Sequence, residues 1–433
     1  MRSNVFVVAV CCVAGMAAPA FPQDPPAPGT AQAAVPAPPD DIKRMVDRLD
    51  LEKYKATIKG LTQFGDRRQG TDRNRAALDW IEAQLKSYGC TNTERLTYTY
   101  PSPAASDPNA PARGAGGRRG GGAGAGGAGA QTGTVSSETR RAREGGSSQF
   151  GTRGRTGVYQ PDAAGAAPLD PRLRALNAQP TTPGERQNVY CTKVGTTNPE
   201  EMYIIGGHMD GHGWGEAAND DGSGTALVME IARIFSAPDV HTQRSIRFVL
   251  WNNEETGLNG AWAYVNQRKD LQGKEDPVGS RKYPEPKWLG MIQHDMMMWD
   301  HGMPGPDGKV SPEQRREADV NIEFQMNSKM AEGSQKLAWA FKAANDKYAT
   351  DYPASVGPHM TNTDSTPFMN LVPAISLREN ERGMHIGAGW DPNWHQPSDV
   401  FTTYTDKDFR LGLNAAQTTL SALAQLVGAT VKN

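Results

Sequence analysis

The strongest constraint on the fold is a regular alternation of strand-like and helix-like segments that starts at Asn188 and continues along the rest of the chain. The strand-like runs are short and apolar, and the segments between them carry apolar residues at helical spacing. The strand-like runs are 188–193, 202–206, 246–251, 288–293 and 372–377, and the main helical segments are 226–235, 331–348 and 406–427. This pattern predicts an α/β fold, a three-layer sandwich whose central mixed, mainly parallel sheet is flanked by helices.

The chain before this alternation has a different character. Residues 41–89 have a helical pattern, and residues 93–100 alternate as a strand does. Residues 113–157 contain eight Arg and two Glu among Gly, Ala and Ser, with almost no large apolar side chain. Such a segment buries too little surface to offset its loss of chain entropy, so we expect a disordered insertion over about 101–185. Arg/Gly-rich segments can also bind nucleic acid, but the scarcity of aromatic residues favours a solvated linker.

Charge and cysteine content exclude other classes of protein. The 433 residues include 46 Lys plus Arg and 48 Asp plus Glu, which gives a net charge of −2. A generally basic nucleic-acid binder and an acidic tail protein are therefore excluded. Four cysteines are too few for a small disulfide scaffold. Cys90 and Cys191 could form a disulfide in an oxidising compartment or could be two separate core residues. The sequence is consistent with both interpretations.

The first forty residues have the pattern of an export signal followed by a spacer. Arg2 precedes an apolar run over 5–15, and Ala18-Pro19-Ala20 is a small-residue cleavage pattern. The run is too short for a membrane span, although an uncleaved anchor is the alternative. We expect a signal peptide over 1–20, a Pro/Ala-rich spacer over 21–40 and a folded domain over 41–433. The mature protein would be periplasmic or extracellular, without membrane attachment.

Polar side chains follow the strand-like runs at the points where the strands end. They are His208, Asp220, Glu254, Glu255, Asp295 and His395. The carboxyl ends of neighbouring parallel strands open into one crevice, so these side chains can converge there. Each feature alone is common in structural roles, and Asp-Asp-Gly is usually a turn. Their position after successive strands favours a shared site.

Two imidazoles and three carboxylates are suitable ligands for a pair of borderline cations such as zinc. Asp220 suits the bridging position, which leaves one His and one carboxylate for each cation. Of the adjacent Glu254 and Glu255, one can bind metal while the other takes a proton from water. Asp210 is placed to accept the second ring N–H of His208.

These motifs resemble the M28 family of zinc peptidases, the co-catalytic aminopeptidases. The matching segments are 207–210, 219–224, 253–257, 294–296 and 394–399, and the resemblance covers about 61–100 and 188 to the end. It implies a zinc aminopeptidase fold and an enzyme with two Zn²⁺, or Co²⁺ or Mn²⁺ as substitutes. Its substrates would be peptide or protein N-termini, and the protein would have no nucleic-acid partner. The resemblance does not indicate an oligomeric state.

The resemblance also implies a role for each ligand. His208 and Asp295 would hold one zinc, Glu255 and His395 the other, and Asp220 would bridge them. Glu254 would be the general base and later the general acid. The peptide bond between residues 220 and 221 is often cis in this family. The chain departs from the family pattern at Trp394, where Tyr is common, at Ser365, where His is common, and in its Gly/Arg-rich insertion.

The substrate pocket and the exact reaction are less constrained. The candidate pocket residues are His212, Trp214, Met296, Met297, Met298, Trp299, His385, Trp390 and Trp394. The Met and Trp residues indicate either an apolar pocket or ordinary core packing. His212 and His385 could either contact substrate or lie at the surface. The alternative activities are those of a carboxypeptidase, a dipeptidase or an aminoacylase on the same scaffold. A glutaminyl cyclase with one metal and a binding protein without metals are further alternatives.

Overall fold

The computed structural model describes residues 40–90, 92–101, 159, 161–162, 166, 168–301, 320–358, 363–379 and 391–432. The expected signal peptide lies outside these residues, as do the spacer up to residue 39 and most of the Gly/Arg-rich insertion. The strands are β1 Glu94–Tyr100, β2 Gly184–Lys193, β3 Asn198–His208, β4 Val240–His241, β5 Arg244–Trp251, β6 Lys287–His294, β7 Val320–Glu323, β8 Ala354–Gly357, β9 Ala374–Arg378 and β10 Thr430–Val431. The helices are α1 Asp41–Val46, α2 Leu51–Thr62, α3 Asp72–Ser87, α4 Pro171–Asn177, α5 Gly222–Phe235, α6 Asn259–Arg268, α7 Ala331–Tyr348 and α8 Asp406–Leu426.

Eight of the strands form one mixed sheet, in the order β1-β2-β5-β3-β6-β9-β7-β8. The central strands β5, β3, β6 and β9 are parallel to one another. Antiparallel pairing is found between β1, β2 and β5 at one side and between β9 and β7 at the other. The predicted mixed, mainly parallel sheet is confirmed.

The sheet has an apolar core on each face. Successive residues of β5 alternate between the two cores: Phe248 and Leu250 belong to the larger one, and Val249 and Trp251 to the smaller. The larger core includes residues of α2, α3, α5, α7 and α8, whereas the smaller core includes residues of α6. Because side chains alternate across a strand, helices cover both faces and the predicted three-layer arrangement follows.

One part of the expected insertion is ordered. Helix α4 lies within the span 101–185 that the composition predicts to be disordered, so the prediction is wrong for these residues. Asp170 caps the helix by accepting from Leu173 N, and Asn177 is fully buried at its end. The Asn177 amide donates to the carbonyl of Gly215 at 2.8 Å and accepts from Asp66 N at 3.2 Å. These bonds to distant residues fix a segment that has few apolar residues of its own.

Cys90 and Cys191 form a disulfide that joins the end of the α3 region to β2. Both side chains are buried in the larger core. Because they are bonded to each other, the alternative of two separate core residues is wrong. The bond closes a loop with a sequence separation of 101 residues. A covalent link over so long a loop restricts the unfolded chain strongly.

The double variant C90A/C191A is expected to lose about 2–5 kcal/mol of unfolding free energy, because its unfolded chain regains the entropy that the link removes. Equilibrium denaturation in guanidinium chloride, with and without reductant for the wild type, measures this loss. Reduction of the wild type should give a similar shift, and reductant should leave the double variant unchanged. An unaltered midpoint in the double variant would show that the bond does not contribute to stability.

Candidate metal centre

Three neighbouring parallel strands end at the same edge of the sheet. In the ladder of β3 with β5, His208 lies opposite Trp251, and in the ladder of β3 with β6, Gly207 lies opposite His294. The residues that immediately follow β5 and β6 therefore start beside His208. This register brings together three polar segments that are far apart in sequence, as expected for the carboxyl ends of parallel strands.

The start of α5 supplies the fourth segment. Asp221 is the N-cap of α5 and accepts from Gly224 N at 2.8 Å and from His208 N at 2.9 Å. The peptide bond between Asp220 and Asp221 is cis. Asp399 accepts from Asn219 N at 2.8 Å and from Asp220 N at 3.1 Å. The loop that carries His395 is thereby attached to the loop that carries Asp220.

The two oxygens of Asp220 face two different histidines. Asp220 Oδ1 lies 3.2 Å from His208 Nε2, and Asp220 Oδ2 lies 3.0 Å from His395 Nε2. Asp295 Oδ1 lies 3.8 Å from His208 Nε2, and Glu255 Oε2 lies 3.1 Å from His395 Nε2. The structure thus brings all five predicted ligands together, with Asp220 between a His208–Asp295 pair and a His395–Glu255 pair.

These donors fit a bound cation on independent grounds. Within the described part of the chain, His208 Nε2 and both carboxylate oxygens of Asp220 are buried and form no hydrogen bond. Buried polar atoms without partners are costly, and bound cations would satisfy them. A mixed set of imidazole nitrogens and carboxylate oxygens is typical of zinc sites, and it also suits related first-row metals.

The electrostatics of the site favour positive charge. Burial disfavours charged imidazoles, yet the neighbouring carboxylates outweigh it and raise the pKa of His395 to about 9. The pKa of His208 is likewise raised well above its usual range, against burial, by Glu254, Asp220 and Asp295. Burial opposes ionisation of Asp220, but the two imidazoles that face it hold its pKa well below the usual value. A cluster of carboxylates that stabilises two imidazolium ions also stabilises metal cations.

The predicted general base lies beside the ligands. Glu254 is 1% exposed, and an oxygen of its carboxylate lies within 4.8 Å of candidate ligand atoms of His208 and Glu255. Its backbone N–H donates to Asp210 Oδ1 at 3.0 Å. The loop after β5 is therefore held in a conformation that places both Glu254 and Glu255 at the centre.

Asp210 acts on His208 through a different atom from the expected one. His208 Nδ1 lies 2.8 Å from the backbone oxygen of Asp210, not from its carboxylate. The carboxylate is used instead to hold the backbone of Glu254. The carbonyl bond leaves Nε2 of His208 directed at Asp220 and Asp295, which is the orientation that a metal ligand needs.

The sequence does not identify Arg378, which lies at the end of β9. Its Nη2 atom is 2.8 Å from Asp295 Oδ2, and its side chain is 1% exposed. Burial opposes ionisation of Asp295, but this guanidinium holds the pKa of Asp295 well below the usual range. In the sequence, the only local indication is that a charged residue follows an apolar strand. This does not show which carboxylate the arginine pairs with.

The candidate pocket residues separate into groups. Met297, Met298 and Trp299 lie in the larger core, as the core-packing reading predicts. Met296 and Trp394 form a separate apolar pair, and Trp394 stacks on His395 with ring centroids 4.0 Å apart.

The remaining pocket candidates have other positions. His212 lies against a predicted metal ligand, since its Nε2 is 3.1 Å from His395 Nδ1. The Trp214 ring packs under the guanidinium of Arg68 at 5.2 Å. His385 and Trp390 lie outside the described residues.

The family model for peptidase family M28 matches residues 188–418, which contain every predicted ligand and Glu254. The chain belongs to peptidase family M28. Relatives include a carboxypeptidase Q from Xenopus laevis, 34% identical over 82 residues, or 19% of this chain and 18% of that protein. An aminopeptidase from Pseudomonas aeruginosa is 28% identical over 145 residues, or 32% of this chain and 25% of that protein. The matched segments therefore span a quarter or less of these relatives' own length.

Solved structures agree with the M28 fold. The LapA aminopeptidase of Legionella pneumophila has a TM-score of 0.52 at 14% identity, covering 90% of this chain and 75% of that one. An aminopeptidase from Aneurinibacillus has a TM-score of 0.51 at 18% identity, covering 90% of this chain and 97% of that one. These likenesses confirm the predicted architecture of the M28 chain.

Proposed function

We propose that this M28 chain is an exported aminopeptidase that uses two zinc ions. The observation that carries the proposal is the position of Asp220, whose two oxygens face His208 and His395 separately. One cation would be held by His208, Asp220 and Asp295, and the other by Asp220, Glu255 and His395. Bridging by one carboxylate explains why both of its oxygens are buried without hydrogen bonds to described residues.

When bound, a pair of divalent cations supplies Lewis acidity toward the substrate carbonyl and makes water a stronger nucleophile. The protein supplies the movement of protons. Glu254 would accept a proton from the attacking water on its carboxylate and then deliver it to the leaving amine. Its burial at the centre keeps bulk water from competing for that proton, and Asp210 keeps its backbone in place.

Support for N-terminal substrates comes from the Pseudomonas relative, which is named an aminopeptidase. Met296 and Trp394, beside His395, would form an apolar wall for the N-terminal side chain. The second candidate is a carboxypeptidase, because the Xenopus relative bears that name at higher identity over a shorter segment. The two activities differ in which end of the substrate must be free.

Hydrolysis of matched peptides tests the proposal. We expect the purified protein to contain two zinc ions by elemental analysis, to lose activity with a chelator and to regain it with Zn²⁺. A leucyl peptide with a free amine should be cleaved, and its N-acetylated form should not. Amidation of the C-terminus should have little effect. A requirement for a free C-terminal carboxylate would overturn the aminopeptidase proposal in favour of the carboxypeptidase.

Export is supported by two features. The N-terminal segment has the pattern of a signal peptide. Disulfides such as Cys90–Cys191 persist mainly in oxidising compartments. Fractionation of cells that express the full chain, with the N-terminus of the mature form sequenced, tests the proposed export, and an intact N-terminus in the cytoplasm would contradict it.

None of the helices in the described ranges is both long and apolar enough to cross a bilayer.

A further inference from the structure

His212 lies in the loop between β3 and α5, at the edge of the metal centre. Its Nε2 atom is 3.1 Å from His395 Nδ1, and the two rings are nearly perpendicular with centroids 4.0 Å apart. The same Nε2 atom is 3.3 Å from Glu255 Oε2, and the side chain is 22% exposed. His212 therefore contacts two predicted ligands of the same cation, His395 and Glu255.

The hydrogen bond between the two rings has a direction that metal binding would fix. His395 Nε2 faces Asp220 Oδ2 and Glu255 Oε2, so it is the nitrogen that would bind the cation. A neutral imidazole that binds metal through Nε2 carries its proton on Nδ1. The atom opposite Nδ1 is His212 Nε2, which must then accept that proton in a hydrogen bond.

We propose that His212 is a positioning residue that fixes the tautomer and ring orientation of His395, so that Nε2 of His395 is presented to the second cation. The inference rests on the two-cation centre of the proposed function. It assigns to His212 the role that an acceptor behind a metal-binding imidazole commonly has, here filled by a second imidazole. The His208 side of the centre has its own acceptor, the backbone oxygen of Asp210.

The loop that carries His212 is built to hold it in this place. Gly213 has φ +110°, and a Cβ there would lie 2.4 Å from the backbone carbon of His395. Gly211 is also tightly enclosed, since a Cβ there would lie 2.6 Å from the Ala217 Cβ and 2.9 Å from the backbone oxygen of Asp220. Glycine on both sides of His212 therefore lets the loop approach the backbones of both ligands.

A buried arginine fixes the two ends of the same loop. The guanidinium of Arg67 is fully buried and donates to the carbonyl of Met209 at 2.7 Å and to those of Glu216 and Ala217 at 2.8 Å each. With both ends held, His212 does not need to be ordered when a cation binds. A supporting residue locked in this way is what a precise metal site requires.

Direct ligation by His212 is the competing explanation, because His212, Glu255 and His395 offer donor atoms within 4.8 Å of one another. The two roles make different demands on the side chain. An acceptor oxygen at the end of a Gln side chain can replace imidazole Nε2 in a hydrogen bond to His395 Nδ1. An amide oxygen is not among the usual zinc ligands and cannot replace an imidazole there.

The test uses H212L, which removes the acceptor, and H212Q, which keeps one. Zinc is titrated into the metal-free full-length protein in competition with a chromogenic chelator. We expect H212L to weaken one of the two binding steps by about 10–100-fold and to leave the other unchanged. H212Q should restore most of the lost affinity. H241L is the matched control, because His241 lies on the separate two-stranded sheet β4–β10, and it should bind as the wild type does.

The outcomes separate the explanations. Wild-type affinity at both steps in H212L would overturn the inference, and so would an H212Q variant as weak as H212L, which would indicate direct ligation. Thermal unfolding of the metal-free variants should match that of the wild type, which shows that the loss is not one of folding. A wild type that binds a single cation would refute the two-cation function. The inference then stands only if H212L weakens that one step and H212Q restores it.

Discussion

The variant E254Q is expected to lose turnover by about 10²–10⁴-fold while still retaining both cations. Glutamine has nearly the shape of glutamate but cannot accept a proton, so the variant lacks the shuttle between the attacking water and the leaving amine. The predicted ligands surround Asp220 and do not require the Glu254 carboxylate. A fall in kcat without loss of bound metal is therefore the expected signature, measured by steady-state kinetics and elemental analysis on the same sample.

The neighbouring variant E255Q is the matched control, because it makes the same chemical change one residue along the chain. Glu255 Oε2 lies 3.1 Å from His395 Nε2, so E255Q should weaken binding of one cation. Excess Zn²⁺ should then recover part of its activity, whereas excess metal should not help E254Q. If E254Q retains near wild-type kcat, or if it loses a cation as E255Q does, the assignment of the general base is wrong.

The centre of the site could be predicted because its residues follow strand ends. His208, Glu255 and Asp295 each come directly after, or within a few residues of, a strand with a clear apolar pattern. Parallel neighbours bring such positions to one edge regardless of the exact register. The local sequence therefore contained enough information to predict that these side chains meet.

The contacts that orient those ligands could not be predicted in the same way. His212 and His395 are 183 residues apart, and the sequence around each of them does not indicate that they are in contact. Arg378 reaches Asp295 only because β9 pairs with β6 in one particular register. Such partners depend on how loops and strands are placed in three dimensions, which apolar periodicity does not determine.

Short or polar elements were missed for a related reason. Strands β7 and β8 have four residues each and end on or contain polar side chains, so no alternation is long enough to identify them. Helix α4 depends on the buried amide of Asn177 and its bonds to Gly215 and Asp66. Composition predicts the order of a segment only when that segment is stabilised by its own apolar residues.

Changing Asp220, the proposed bridging residue, tests the proposed two-cation arrangement most directly. D220N keeps one side-chain oxygen and replaces the other with an amide nitrogen, which has no lone pair to offer a cation. Because the two oxygens of Asp220 face His208 and His395 separately, we expect at least one of the two binding steps to weaken. The loss should be no smaller than the roughly 10–100-fold that removal of an outer hydrogen-bond partner costs. D220A removes both oxygens and should weaken both steps.

Chelator-competition titrations give the affinity of each step, and kcat measured at saturating zinc shows whether one cation alone supports the reaction. The matched control is D239N, since Asp239 pairs with Arg48 at the surface and is not part of the centre. If Asp220 bridges, D220A should bind less zinc than D220N at equal concentration, and both should bind less than D239N. If D220A loses a single step and keeps the other at full affinity, Asp220 binds one cation only, because loss of a carboxylate that binds both cations weakens both steps.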